Sequence, residues 1–130
     1  MVIDSSALLT IVLGEPDAQI YIDAIDAAFA EERSIYVPAS VLVEAGIVAD
    51  IRNRGPRLDA LLDHLQPEIV PLERSLAALA RRAFHRFGRG RHPARLNFGD
   101  CLSYATAEFL HLPLLYKGTD FKRTAITSVL

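Results

Sequence analysis

The fold of this chain is limited most by where its short apolar, β-branched runs fall. MVI at 1–3, IYVP at 35–38, IVPL at 69–72 and PLLYK at 113–117 are too short for helices and read as buried strands. Helical segments lie between them. SSALLTIVL follows an N-cap at Asp4 or Ser5 and breaks at Gly14. A second helix, roughly 16–32, has Pro16 in its first turn. SVLVEAGIVADIRNR starts at Ser40 and closes at Gly55-Pro56; RLDALLDHL follows. SLAALARRAFHRF ends at Gly88, and NFGDCLSYATAEFLHL opens on Asn97 as N-cap. ITSVL at the end reads as a last strand. The order β-α-α-β-α-α-β-α-α-β-β predicts an α/β fold whose mostly parallel sheet carries helices on both faces.

At 130 residues the chain, 1–130, is expected to form one domain with one hydrophobic core. Apolar residues make up 51% and charged residues 23%, which excludes a disordered chain. Cys101 is the only cysteine, so no internal disulfide forms, as suits a reducing cytoplasm. No basic leader is visible, and no apolar run approaches the roughly 20 residues that span a bilayer. A cytoplasmic protein without a membrane association is expected.

The net charge of −2 hides a polarised chain. Residues 1–32 carry seven acids and no Lys or Arg, whereas residues 74–99 carry seven Arg and no acid. One face can therefore be basic while the whole stays near neutral.

Open α/β sheets place their sites beyond the carboxyl ends of the strands. Four acids fall there. Asp4 ends the first strand, and Glu44 lies one turn into the helix after the second. Asp100 lies in the first turn of the helix opening at Asn97, and Asp120 follows PLLYK by three residues. Glu44 and Asp100 have apolar sequence neighbours, and a buried acid needs a partner or a metal. Clustered carboxylates repel, and a divalent cation resolves the conflict. Hard oxygen ligands suit Mg²⁺, with Mn²⁺ as a substitute. His64, His85, His92 and His111 show no zinc spacing. Mg²⁺ takes one or two carboxylates directly, so Asp4 and Asp100 are expected as direct ligands. Glu44 and Asp120 then act through water or on a second metal. Such an ion activates water and stabilises charge on a phosphoryl group, which is the chemistry of phosphodiester hydrolysis. Read singly, Asp4 and Asp100 serve equally well as helix caps and Asp120 as a turn residue. The set of four carries the argument.

The segments MVIDSSALLTIVLGEPDA, VPASVLVEAGIV, FGRGRHPARLNFGDCLSYA and LPLLYKGTDFKRTAI resemble PIN-domain ribonucleases, and more narrowly the VapC toxins of type II toxin–antitoxin modules. The likeness covers essentially the whole chain in the family's order. It implies a three-layer α/β/α fold with a sheet of about four or five strands, a Mg²⁺ site and endonucleolytic RNA cleavage. It also implies neutralisation by a cognate VapB-like antitoxin; a homodimer is expected as well. The family's acidic quartet maps onto Asp4, Glu44, Asp100 and Asp120. Ser5 or Ser6 takes the place of a polar residue that often follows the first acid. Thr119 stands where many relatives carry Asn and keeps a hydroxyl for hydrogen bonding.

Arg82, Arg86, Arg89, Arg91 and Arg95 are expected to hold the RNA backbone, with positions 82, 86 and 89 on one helical face. Two rival readings remain: a non-catalytic RNA- or partner-binding module on the same fold, and a Mg²⁺-dependent phosphoryl-transfer or phosphatase domain. The second wants another acid close to Asp4, but Ser5 and Ser6 follow it.

Overall fold

A computed structural model describes residues 1–130. Four strands and six helices follow one another: β1 (Val2–Ile3), α1 (Ser5–Leu13), α2 (Ala18–Ala30), β2 (Tyr36–Pro38), α3 (Ala39–Ile51), α4 (Gly55–Leu65), β3 (Glu68–Val70), α5 (Arg74–Phe87), α6 (Phe98–Leu110) and β4 (Leu114–Leu115), then a 3₁₀ turn, Phe121–Arg123. The sheet is wholly parallel in the order β3-β2-β1-β4.

Successive strand side chains face opposite sides, and this alternation divides the core. Ile3, Val37 and Leu115 pack on one face with residues of α1 to α4, including Leu8, Val12, Ile25, Val41 and Leu58. Val2, Leu114 and Tyr116 pack on the other with α5 and α6, through Leu76, Ala83, Phe87, Leu102 and Tyr104. The two clusters hold 16 and 15 buried residues, so both faces of the sheet are covered and three layers result. The expected α/β/α architecture is what forms.

Three expectations need correction. ITSVL contributes only an isolated bridge, Leu114 to Ser128, and no fifth strand. Helix α3 stops at Ile51 and does not run on to Gly55-Pro56; those residues open α4, where a proline in the first turn gives up no needed N–H. The helix expected to begin near position 16 begins at Ala18, after a turn. No helix is long and apolar enough to cross a membrane.

The chain leaves β1 for β2 and β3 on one side, then crosses back to lay β4 on the other. The strand order therefore reverses between β1 and β4. At such a switch point the flanking connections diverge and leave a crevice beyond the strand ends. Asp4 follows β1 there, and residues 117–120 leave β4 there.

Candidate active site

Asp4 is only 3% exposed and forms the N-cap of α1. Its Oδ2 accepts the Ser6 amide at 3.0 Å and the Ser6 hydroxyl at 2.6 Å. The Ser6 oxygen in turn accepts the Lys117 amide at 2.9 Å. Ser6 thus ties the first acid to the segment leaving β4, across the switch point. The Asp4 amide donates to Leu115 O at 2.9 Å and fixes the same junction through the backbone. Ser5, also buried, is the first residue of α1.

Asp100 occupies the third position of α6 and completes a capping box. Its Oδ2 accepts the Asn97 amide at 2.8 Å, and its own amide donates to Asn97 Oδ1 at 2.9 Å. Burial pushes the Asp100 carboxyl up to about 6 against the lowering pull of the Asn97 amide. The charges of Asp4, Asp120 and Glu44 push it the same way. That shared influence brings four acids, separated by up to 116 positions (4 to 120), into one electrostatic neighbourhood.

Glu44 is not buried in apolar surroundings, contrary to the sequence expectation. On α3 the core-facing residues are Val41, Ala45 and Ala49, whereas Glu44 is exposed beside Val43 and Ile47. Its carboxylate lies against the first turn of α6. A methyl group on Gly99 would sit 2.9 Å from Glu44 Oε2 and 3.2 Å from Oε1. A glycine is therefore what leaves room for the glutamate. Asp120 is exposed at the start of the 3₁₀ turn and makes no capping hydrogen bond. Thr119, equally exposed, precedes it. Gly118 turns the chain with φ of 106°, a value side chains disfavour.

None of the four acids has a cationic partner. Lys117 stands near, but its ammonium is engaged by Glu15 and by Asp17, the latter at 2.6 Å. Those bonds raise the lysine and lower Asp17 from their ordinary values. Lys117 therefore braces the α1–α2 turn and is not a free phosphate contact. Cys101 packs in the core, where burial pushes its thiol up to about 11. No three acid, histidine or cysteine side chains stand close enough together to hold a metal ion among them. This donor set fits Mg²⁺, which keeps most of its waters and takes few carboxylates, and does not fit a structural zinc.

The arginines do not form a single stripe. Helix α5 ends at Phe87, so Arg89 belongs to the following loop and not to the face shared by Arg82 and Arg86. Arg86 is bound to Glu108 at 3.3 Å and lies over the Phe87 ring. Arg82 shares the outer side of α5 with Arg81 and His85. Beside the acids runs an apolar surface that the sequence reading missed. Val43, Ile47, Leu72 and Phe98 line a groove that also contains Glu44, and Phe98 is 78% exposed.

An α/β/α layer structure that gathers four acids into one electrostatic neighbourhood has the make-up of a nuclease. The family model described as PIN domain matches residues 1–126. The chain belongs to the PIN-domain family. It is 44% identical to ribonuclease VapC28 of Mycobacterium tuberculosis, an alignment covering 100% of this chain and 98% of that one. Among solved structures it resembles the M. tuberculosis toxin VapC20, with a TM-score of 0.74 at 15% identity over 97% of this chain and 95% of that one. It also resembles VapBC2 from Rickettsia felis, solved with promoter DNA, with a TM-score of 0.72 at 16% identity over 98% and 94%. At those identities the two structures bear on the fold alone.

Proposed function

We propose that this protein is a Mg²⁺-dependent endoribonuclease, the toxin of a type II toxin–antitoxin pair. The observation that carries this reading is the set of four carboxylates, in which Asp4, Asp120 and Glu44 add to the proton affinity of a half-buried Asp100 with no cation among them. Full-length similarity to proteins named as VapC ribonucleases supports RNA as the substrate.

Asp4 and Asp100 are the residues that would hold the metal directly, since each is fixed by local hydrogen bonds with one oxygen to spare. Mg²⁺, or Mn²⁺ in its place, supplies charge neutralisation and lowers the pKa of water when bound. Glu44 and Asp120 accept no protein hydrogen bond that would compete for a proton, so either can orient or deprotonate the attacking water. They would otherwise serve a second metal through water. Ser6 holds the Asp4 carboxylate in register with the end of β4.

The same reading carries two protein partners, a cognate VapB-like antitoxin that neutralises the nuclease and a second copy of the chain. The deciding experiment incubates purified protein with cellular RNA and Mg²⁺ and maps the new 5′ ends. Cleavage abolished by Asp4→Asn and by Asp100→Asn, with both variants folded, is expected. Undiminished cleavage in EDTA overturns the proposal.

A further inference from the structure

The loop between α5 and α6, residues 88–96, is built more firmly than a connector needs. Gly88 and Leu96 form a parallel bridge, with the Arg89 amide donating to Leu96 O at 3.0 Å and the Leu96 amide to Phe87 O at 2.9 Å. Inside that closure the Arg91 and His92 amides both donate to Gly88 O, and the Arg95 amide donates to His92 O. The Ala94 amide donates to His92 Nδ1 at 3.1 Å, which orients the imidazole against the edge of Phe87. Arg123 donates to Pro93 O from outside. Ala94 and Leu96 are fully buried and pin the loop to the core.

Between these two anchors Arg95 is held at φ of 56°, a left-handed conformation that a side chain adopts only when its surroundings enforce it. Arg89, Arg91, His92 and Arg95, with Gly90 and Pro93 between them, line one shallow, open concavity of about 450 Å³ that contains no hydrophobic residue. None of the three arginines is paired with a carboxylate. Three exposed guanidiniums gathered on a braced loop, with no acid among them, set up a local positive potential that attracts an anion.

The chain position says which anion. Leu96 leads directly into Asn97 and the capping box of Asp100. Five residues, from Arg95 to Asp100, span at most about 18 Å. We propose that the 88–96 loop is a preformed phosphodiester-binding subsite. It would take the RNA backbone beside the bond being cut, with Arg89, Arg91 and Arg95 as donors. This rests on the ribonuclease reading above. It assigns substrate holding to this loop and leaves Arg86, already bound to Glu108, out of it.

The test compares the parent with the triple variant Arg89→Gln/Arg91→Gln/Arg95→Gln, and with Arg54→Gln on the α3–α4 turn as a charge control. Each protein titrates a fluorescein-labelled, mixed-sequence 2′-O-methyl RNA, which cannot be cleaved through its 2′ position, without divalent metal and at several salt concentrations. Each then cleaves an unmodified RNA with Mg²⁺. The triple variant is expected to bind at least ~10-fold more weakly and to lose roughly 0.7 from the salt slope per phosphate contact removed. Its KM should rise more than its kcat falls, and Arg54→Gln should match the parent. Equal affinity and equal salt slope in parent and triple variant overturn the subsite. So does a logarithmic loss of affinity in Arg54→Gln as large, per charge removed, as in the triple variant, which reduces the effect to net charge. Each single variant, with its thermal transition measured, repeats the comparison if the triple variant fails to fold. A parent that cleaves no RNA but shows the expected binding contrast overturns the ribonuclease reading and the placement beside a cut bond, and leaves the loop as an RNA-backbone site, because the binding arm is scored without cleavage.

Discussion

The hydroxyl of Ser6 stands 2.6 Å from Oδ2 of Asp4 and accepts the amide of Lys117 with its remaining valence. One side chain thereby fixes an acid after β1 relative to the chain leaving β4, so Asp4 and Asp120 share a common reference point.

Ser6→Ala removes both bonds. A loss of about 1 kcal/mol in stability is expected from the orphaned partners. The loss in cleavage rate should be larger, about 10-fold or more, as when a supporting contact to a metal-holding group is cut. Ser6→Thr should restore most of it. Denaturant melts and initial rates check the split, and a rate that only follows stability refutes the positioning role.

Gly99→Ala separates function from stability in the other direction. The added methyl meets only the flexible end of Glu44, so the fold should hold, with a helix-propensity gain of up to ~1 kcal/mol. The displaced carboxylate should raise the Mg²⁺ concentration for half-maximal cleavage several-fold. A metal titration identical to the parent's would remove Glu44 from the site.

Asp100 sets the response to pH. Its carboxyl titrates near 6 in the folded chain and near 3.9 unfolded, so the folded state binds the proton more tightly. Stability without metal should therefore fall as pH rises from about 4 to about 6. Asp100→Asn escapes this cost. At neutral pH the variant should exceed the parent by about 1–2 kcal/mol, a figure already reduced for the partial exposure of the group. The advantage should vanish near pH 4. Chemical melts across this range check the sign.

Mg²⁺ is expected to reverse that ranking. Binding needs the ionised carboxylate, so affinity should climb through about pH 6 with release of a proton. Saturating Mg²⁺ should raise the melting temperature of the parent and leave Asp100→Asn unmoved. Calorimetry in buffers of different ionisation enthalpy counts the proton, and a flat affinity profile excludes Asp100 as a ligand.

Leu96→Ala empties a fully buried position under the arginine loop. A loss of about 2–5 kcal/mol is expected. The same variant should bind RNA less well although every arginine remains, because its scaffold has loosened.

The acids after β1 and β4 and the N-caps at Asp4 and Asn97 were legible in the sequence, since strand ends and caps leave local signatures. The environment of Glu44 was not. Helix α3 is apolar on nearly every side, so its pattern does not reveal which face the core takes. The core takes the small residues Ala45 and Ala49 with Val41 and leaves Val43, Ile47 and Ile51 outside. The arginine stripe failed for a related reason. Helical spacing was carried through position 89, whereas the chain leaves the helix at Gly88 to form a closed loop held by long-range bonds. Ser6 was legible as a polar residue beside Asp4, but its bond to the Lys117 amide joins positions 111 apart and leaves no local trace.

The capping box makes Asp100 part of the first turn of α6 as well as of the acid cluster. Helix ends open far more readily than helix middles, long before a domain melts. Each such opening withdraws a carboxylate from the site. Catalysis in this protein should therefore fade with heat at temperatures where the bulk of its secondary structure is still intact, with the state of one helical turn acting as its thermostat.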